Sequence, residues 1–463
     1  MFQGWEPWNT IVKNRHRMKK NATLKSTDKF SFPQEIVFRR CAEGWLVIAV
    51  STANWIVLQS DCQRTLLEQL IQGKTIGEIA LSLAASDKRM QEFKSLLAAI
   101  TEREFASTNY VPRPDFHEGY RMLNLYLTNA CNLHCTHCFM KSGKPLKNEL
   151  PADEWQRILS EFKTEGGLSV TFSGGEPLMN KDFDAILSHA STIGLNTTIL
   201  SNGVLWNKEK IEELAPNISE IQISIDGFDE SSNAKIRGAG HFDRVVQNVI
   251  LFANQGVRIS VATTFTFQNL NDDAAVRYAQ MVNTIKSQCK NSVFFKLSKK
   301  ILQGRFTHYT KAENQEFYRK IMEIERNVDP NARFQNFMEG HTPNQADRNC
   351  GFGGISIGSD GEVYYCNRIS EVESYGNIKG KPLSPFMKQG HQLHLQTSVD
   401  NIIPCRECHL RYICFGGCRI DDCNFQGKLI HHQGPLKQVA CTKENVQQLE
   451  RKMIDSYLFY YQF

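Results

Sequence analysis

Three cysteines in one short segment are the residues of this sequence best suited to chemistry. Cys131, Cys135 and Cys138 follow the spacing C-x3-C-x2-C. Three thiolates on one loop can hold three irons of a [4Fe–4S] cube and leave the fourth iron open to chelate a small molecule. A structural zinc loop is the alternative that this spacing by itself leaves open.

Short polar motifs follow the cysteines, each at the end of a predicted strand. The first contains Gly174, Gly175 and Glu176, and Ser201-Asn202 and Ser224-Ile225-Asp226 end the next two strands. Arg237 follows shortly after. Ligands of parallel α/β folds bind at the carboxyl ends of the strands, so a binding site is expected there. Each motif taken alone is also an ordinary turn.

The joint pattern resembles the radical S-adenosylmethionine (SAM) superfamily. The resemblance implies that the three cysteines bind one [4Fe–4S] cluster and that Gly174, Gly175 and Glu176 bind the methionine amino group. It further implies that Ser201 and Asn202 contact the ribose and methionyl portions. The motif containing Ser224 and Asp226 would join Arg237, with Ser224 and Arg237 holding the methionine carboxylate. These types suit the roles, because a carboxylate accepts from an ammonium and arginine offers a planar fork of donors.

A second, denser group of cysteines lies late in the chain. Its spacing is C-x10-G-x4-C followed by C-x2-C-x5-C-x3-C and one further cysteine. The group comprises Cys350, Cys366, Cys405, Cys408, Cys414, Cys418 and Cys441. Clustered cysteines in a reducing compartment more often bind metal than form disulfides. A zinc ribbon is the structural alternative for the four central cysteines.

This late array resembles the SPASM domain of peptide-modifying radical SAM enzymes. The resemblance implies two auxiliary [4Fe–4S] clusters, and so three in all. One would be held by Cys350, Cys366 and Cys418, the other by Cys405, Cys408, Cys414 and Cys441. Cys423 is extra to the pattern; we predict that it ligates the first auxiliary cluster, whose iron otherwise stays open or takes another ligand.

Alternating apolar and amphipathic segments predict the elements that position these residues. Six strand candidates, each followed by a helix or crossover, predict an α/β fold whose parallel sheet curves into a partial (β/α)6 barrel; they are Met122–Leu127, Leu168–Phe172, Thr197–Leu200, Ile218–Ile225, Arg258–Thr264 and Val293–Leu297. We predict an N-terminal arm at 1–29, a winged-helix-like module at 30–106, a linker at 107–118, the barrel at 119–325, the SPASM domain at 326–445 and a terminal helix at 446–463.

The N-terminal module indicates a substrate class. Two short β segments, Trp45–Val50 and Asn54–Leu58, precede three helical patterns, and Thr75 is placed to cap the second helix. The arrangement resembles the small winged-helix element that captures leader peptides, which binds by adding a peptide strand to a sheet edge. A structural or dimerising winged helix is the alternative.

Composition excludes some function classes. The 463 residues carry a formal charge of only +5, and the basic residues between Lys13 and Lys20 are expected to form a solvated tail. No basic face with a helical or aromatic reader predicts nucleic-acid binding. No apolar stretch approaches the roughly 20 residues that span a bilayer, and no signal peptide is apparent, so a cytoplasmic location is expected.

The expected function is that of a SAM-dependent radical oxidoreductase acting as a maturase of ribosomally made peptides. By the resemblance, a 5′-deoxyadenosyl radical abstracts a hydrogen from a leader-bearing precursor and a C–C cyclophane or thioether cross-link follows. A flavodoxin or ferredoxin would supply electrons. The catalytic acid or base is not identified.

Two alternatives remain. A sulfatase-maturing, formylglycine-generating enzyme would place an Asp after the cysteine matching Cys366, where this chain has Asn367, which cannot act as a carboxylate base. A non-enzymatic iron–sulfur or electron-transfer protein would not need the motif of Glu176 or Arg237.

Overall fold

The computed structural model describes residues 24–112, 121–302, 304–346, 348–425 and 434–461. The basic residues from Lys13 to Lys20, most of the predicted arm and part of the predicted linker lie outside these ranges. The chain divides into two compact units. One unit comprises the described residues within 115–330 and 351–396, and the other comprises those within 2–114, 331–350 and 397–463.

The second unit begins with a three-stranded antiparallel sheet in the order β1-β2-β3, formed by Ile36–Cys41, Gly44–Ala49 and Asn54–Leu58. The sequence predicted only the last two strands. Helices α1 (Asp61–Ile71), α2 (Ile76–Leu83) and α3 (Asp87–Glu102) follow. Thr75 caps α2 as predicted, because its side chain accepts from the Glu78 amide while the Glu78 carboxylate accepts from the Thr75 amide. Whether the module is a winged helix stays a prediction. The short strand β4 (Val111–Pro112) ends this segment.

The first unit contains a mostly parallel sheet with crossover helices, as predicted. Its six consecutive strands are β5 (Met122–Tyr126), β6 (Ser169–Ser173), β7 (Asn196–Ser201), β8 (Glu220–Ser224), β9 (Arg258–Thr263) and β10 (Val293–Leu297). The helices between and after them are α4 (Ala152–Thr164), α5 (Phe183–Thr192), α6 (Lys208–Leu214), α7 (Glu230–Arg237), α8 (Phe242–Asn254), α9 (Ala274–Gln288) and α10 (Lys311–Val328).

The strand order explains why the motifs can meet. The order β10-β9-β8-β7-β6-β5 is sequential, and every pair is parallel. All carboxyl ends therefore lie at one edge of the sheet. The centres of β6 to β9 are buried, as in sheets that are covered on both faces, and apolar side chains there alternate with buried Thr, Gln and Ser side chains. Curvature into a partial barrel stays a prediction.

The rest of the chain contributes to both units. Helix α11 (Ala332–Glu339) and strand β11 (Gln345–Ala346), which pairs with β4, belong to the second unit. Strand β12 (Ser356–Ile357) extends the large sheet beside β5, and β13 (Val363–Tyr364) pairs antiparallel to it. Helix α12 (Ser384–Gln396) lies in a region for which the sequence predicted little helix.

The final segment of the second unit contains four short elements followed by one long helix. They are β14 (Ile402–Ile403), α13 (Arg411–Cys414), α14 (Arg419–Asp422), β15 (Leu436–Lys437) and the long helix α15 (Lys443–Tyr460). Strands β14 and β15 pair in parallel. In the described parts of the chain, no helix has both the length and the apolar character needed to cross a membrane.

Candidate functional site

The loop after β5 carries the first three cysteines and is fixed by backbone hydrogen bonds. The Cys131 amide donates to the Gly143 carbonyl at 2.9 Å, and the Thr136 amide donates to the Ile236 carbonyl at 2.9 Å. The first bond joins two parts of the loop, and the second holds the loop against α7. The three thiols are therefore presented by an ordered loop at the carboxyl edge of the sheet.

The thiols lie within electrostatic range of one another. Burial raises the pKa of Cys131, and it raises the pKa of Cys135 to about 11 while Arg237 opposes that shift. Charges on the neighbouring cysteines raise both pKa values further. An Nη1 hydrogen of Arg237 points to the Cys135 sulfur at 3.9 Å. The site therefore suits thiolates that are neutralised by metal and by a nearby cation.

The donor set of this loop is compatible with an iron–sulfur cluster. Three cysteine sulfurs are the ligands that three irons of a [4Fe–4S] cube require. Among the described residues, no group of three or more His, Cys, Asp or Glu side chains is arranged to hold one metal ion. The assignment of Cys131, Cys135 and Cys138 as cluster ligands stays a prediction.

Glu176 is completely buried at the end of β6. Its two oxygens accept hydrogen bonds from the Ser201 hydroxyl at 2.8 Å and from the Asn202 amide at 2.7 Å. Burial raises the pKa of this carboxyl to about 7, against the lowering effect of those hydrogen bonds. Ser201 also accepts from the Trp206 indole at 3.1 Å, so Trp206 supports the carboxylate from behind.

Gly174 and Gly175 allow two loops to approach closely. A Cβ on Gly174, whose φ is +136°, would lie 2.4 Å from the Thr128 carbonyl oxygen, and one on Gly175 would lie 2.2 Å from that of Ala130. The Gly175 amide donates to Thr128 at 2.8 Å. Because no larger residue fits, these glycines pack the Glu176 turn against the cysteine loop.

Asp226, at the end of β8, is a buried carboxylate with three protein partners. One oxygen lies 2.6 Å from Arg237 Nε and 2.7 Å from His137 Nε2, and the other accepts from the Thr264 amide at 2.6 Å. Burial opposes ionisation of Asp226, but the charges of Arg237 and His137 with the hydrogen bonds from His137 and Thr264 lower its pKa. Asp226 therefore positions Arg237 beside the cysteine loop.

A cavity brings the remaining predicted residues together. Its lining includes Asn202, Ser224, Arg237 and, from the cysteine loop, Leu133. The Asn202 amide group also donates to Asn132 at 2.8 Å. Polar residues from the ends of β7, β8 and α7 thus line one pocket beside the cysteine loop.

Three partners of the site were missed by the sequence analysis. His137 lies within the cysteine spacing itself, where an ionisable ring between two thiols was the available signal. Trp206 and Thr264 reach the site only through tertiary packing, and nothing in their sequence neighbourhood distinguishes them.

The late cysteines belong to different units. Cys366 lies just after β13 in the first unit, where its sulfur accepts from the Arg368 amide at 3.5 Å. The other seven lie in the second unit, which contains Cys350, Cys405, Cys408, Cys414, Cys418, Cys423 and Cys441.

Within the second unit the thiols form two overlapping groups. Burial raises the pKa of Cys405 to about 12, and charges on Cys414, Cys408, Cys423 and Cys441 raise it further. Burial raises the pKa of Cys423 to about 11, and charges on Cys350 and Cys418 raise it further. An isolated antiparallel β-bridge between the backbones of Cys423 and Gln438 helps to hold these segments together.

Comparison with known proteins assigns part of the chain to a family. The family described as the Radical SAM superfamily matches residues 125–282. The chain is 32% identical over 198 residues to the sporulation killing factor maturation protein SkfB of Bacillus subtilis (strain 168), covering 42% of this chain and 46% of that protein. It is 38% identical over 120 residues to the PqqA peptide cyclase of Bradyrhizobium diazoefficiens, covering 25% of this chain and 30% of that protein. The chain thus spans less than half the length of these relatives.

A solved structure is similar over a longer range. Native anSMEcpe with bound AdoMet superimposes with a TM-score of 0.50 at 19% identity, covering 73% of this chain and 96% of that chain. At this identity the likeness concerns the fold, and it agrees with the α/β architecture and its mostly parallel sheet.

Proposed function

We propose, from the premise that residues 125–282 are a domain of the radical SAM superfamily, that this chain is a maturase of ribosomally made precursor peptides. Its product would be an oxidative cross-link of the C–C cyclophane or thioether type. The observation that carries the proposal is the gathering of Cys131, Cys135, Glu176 and Arg237 at the carboxyl edge of one parallel sheet.

The site residues suit a cluster and SAM. Cys131, Cys135 and Cys138 would hold three irons of the cluster. Bound together, the cluster and SAM supply one-electron cleavage of a sulfonium carbon–sulfur bond and thereby a radical able to abstract hydrogen. Glu176 would accept from the methionine ammonium, and Arg237, held by Asp226, would lie against the methionine carboxylate.

Two auxiliary clusters are proposed for the late cysteines. Cys405, Cys408, Cys414 and Cys441 would hold one, and Cys350, Cys366, Cys418 and Cys423 the other. The electrostatic proximity of Cys423 to Cys350 and Cys418 supports the assignment of Cys423 as a ligand. Such clusters can accept an electron from a substrate radical, which suits a net two-electron oxidation.

The surface beside the cysteine loop supports an acidic protein as reductant. Residues 131–148 contain no Asp or Glu, while Lys141, Lys144 and Lys147 are exposed. Phe306, 69% exposed, packs next to this loop through a 2.8 Å hydrogen bond from its amide to Thr136. We propose that an acidic flavodoxin or ferredoxin docks there, because complementary charge favours such encounters.

A leader-bearing peptide is proposed as the substrate. SkfB and the PqqA peptide cyclase are, by their names, a maturation protein and a peptide cyclase. The three-stranded sheet β1-β2-β3 offers edges to which an extended leader could add a strand.

The decisive experiment supplies reduced, reconstituted protein with SAM and the co-expressed neighbouring precursor peptide. We expect 5′-deoxyadenosine and a peptide that has lost two hydrogens per cross-link. Hydroxylamine trapping separates the alternatives, since formylglycine forms an oxime and a cross-link does not. An oxime on a sulfatase-type peptide would favour the formylglycine enzyme, and the absence of SAM cleavage with full clusters would favour the non-enzyme.

A further inference from the structure

Arg419 is a completely buried cation in the middle of the late cysteines. Its side chain follows Cys418 directly and opens α14 with 0% exposure. Nε donates to the Thr397 carbonyl at 2.7 Å, and Nη1 donates to the Gly417 carbonyl at 2.7 Å. Nη2 is buried and has no hydrogen-bond partner within the described part of the chain.

This environment does not neutralise the charge. Both acceptors of the Arg419 guanidinium are uncharged carbonyl groups. The carboxylate of Asp422, three residues along, instead accepts from the Cys418 amide at 2.7 Å. An unpaired ion in a protein interior costs several kcal/mol, so a stable fold requires an anionic group near Arg419.

The cysteines around Arg419 identify that group. Arg419 follows Cys418 directly, and its Nη1 bond to the Gly417 carbonyl anchors it to the short segment that joins Cys414 to Cys418. In the assignment proposed above, these two cysteines bind different auxiliary clusters. A [4Fe–4S] cube with four thiolate ligands is anionic, so two anions would flank one buried cation.

We infer that Arg419 is the shared counter-charge of the two auxiliary clusters and a positioning residue for the segments that hold them. The inference rests on the proposed function, because it requires both clusters. A fixed cation stabilises the more electron-rich state of a nearby cluster, so Arg419 raises the midpoint potential at which each auxiliary cluster is reduced.

The test compares Arg419→Gln and Arg419→Lys with Arg406→Gln. All are made in a background with Cys131, Cys135 and Cys138 replaced by Ala, so that only auxiliary clusters contribute. Arg406 is a matched control, because it lies between Cys405 and Cys408 but is 52% exposed and paired with Glu407. The readouts are iron per chain and redox titration followed by electron paramagnetic resonance.

We expect Arg419→Gln to shift reduction to lower potential, with a reduced-to-oxidised ratio at fixed ambient potential that falls about tenfold or more. Arg419→Lys keeps the charge, so its midpoint potential should shift less. The midpoint potential of Arg406→Gln should equal that of the parent. If Arg419→Gln loses its iron while Arg419→Lys retains it, the charge role is equally supported.

Unchanged potentials in a fully loaded Arg419→Gln variant would overturn the inference. Equal iron loss in Arg419→Gln and Arg419→Lys would also overturn it, because the requirement would then be for arginine's shape. A parent background that loads no auxiliary cluster would instead count against the proposed function itself.

Discussion

The single hydroxyl hydrogen of Ser201 fixes how Glu176 can be used. The Ser201 oxygen already accepts from the Gly203 amide at 3.0 Å and from the Trp206 indole at 3.1 Å, so its hydrogen goes to Glu176. The Asn202 amide donates to the other carboxyl oxygen. Both oxygens are therefore held as acceptors, which suits a carboxylate that waits for an ammonium group.

Replacing Glu176 with Gln should weaken SAM binding. The variant loses the negative charge and places an amide hydrogen against a hydroxyl whose acceptor positions are filled. We expect affinity to fall by about 10- to 100-fold, the value of one charge-assisted hydrogen bond. Calorimetry on cluster-loaded protein measures it, with the exposed Glu165→Gln as control. Equal SAM affinities for Glu176→Gln and the parent would show that Glu176 does not bind SAM.

The same carboxyl predicts a pH dependence without SAM. Its pKa is raised from 4.5 to about 7, chiefly by burial, so the folded protein holds this proton more tightly than the unfolded chain. The contribution of this proton to the free energy of unfolding is fully present below pH 4.5 and is lost as the pH rises through about 7. The parent's thermal midpoint should therefore fall relative to Glu176→Gln between pH 5 and pH 8. A constant difference across this range would contradict the raised pKa.

At the scale of elements, the site depends on how closely neighbouring loops approach. From the sequence, Gly174 and Gly175 are predicted to help Glu176 bind the methionine amino group. In the structure the Gly175 amide is committed to Thr128, and both glycines leave room for the cysteine loop. The loop that packs against this motif could not be predicted, because contacts between loops are not encoded in local spacing.

Gly175→Ala and Gly143→Ala form a matched pair that tests this packing. Neither glycine has a positive φ, yet an added Cβ would meet the Ala130 oxygen at 2.2 Å at Gly175 and nothing within 4 Å at Gly143. We expect Gly175→Ala to destabilise the protein by about 1–3 kcal/mol, as overpacking does, and to reduce iron loading. Gly143→Ala should change the thermal midpoint little. Similar losses in both variants would show that the close approach is unimportant.

Across the whole molecule, the sequence predicted what is periodic and missed what depends on packing. The six parallel strands were located to within two residues, because each is rich in Val, Ile, Leu, Phe and Thr, which favour strands. Strand β1 was missed because Arg39 and Arg40 interrupt its pattern. Helix α12 was missed because it contains Gly390, where a Cβ would lie 2.6 Å from the Gly353 oxygen, so packing decides both the residue and the helix.

The site shows the same division. Its cysteines and strand-end motifs could be predicted because their chemistry needs fixed residue types at fixed spacing. Trp206 and Thr264 could not, because only the fold brings them near the residues that they contact. His137 and Arg419 are adjacent to motif cysteines in sequence, but that position does not reveal which groups their side chains contact. Sequence therefore predicts the groups expected to contact the cofactors, and structure adds the groups that orient and balance them.

The number of clusters is a property of the entire chain and can be counted. Three cubes require about twelve irons per chain, and replacing Cys131, Cys135 and Cys138 with Ala should remove about four of them. Replacing Cys423 with Ser should make the first auxiliary cluster labile to chelators, because a thiolate ligand is lost. Cys289→Ala is the control, since Cys289 stands apart from both cysteine groups in sequence and should lose no iron. A parent protein with only about four irons would leave the late cysteines without clusters, and the buried charge of Arg419 would then need another anion.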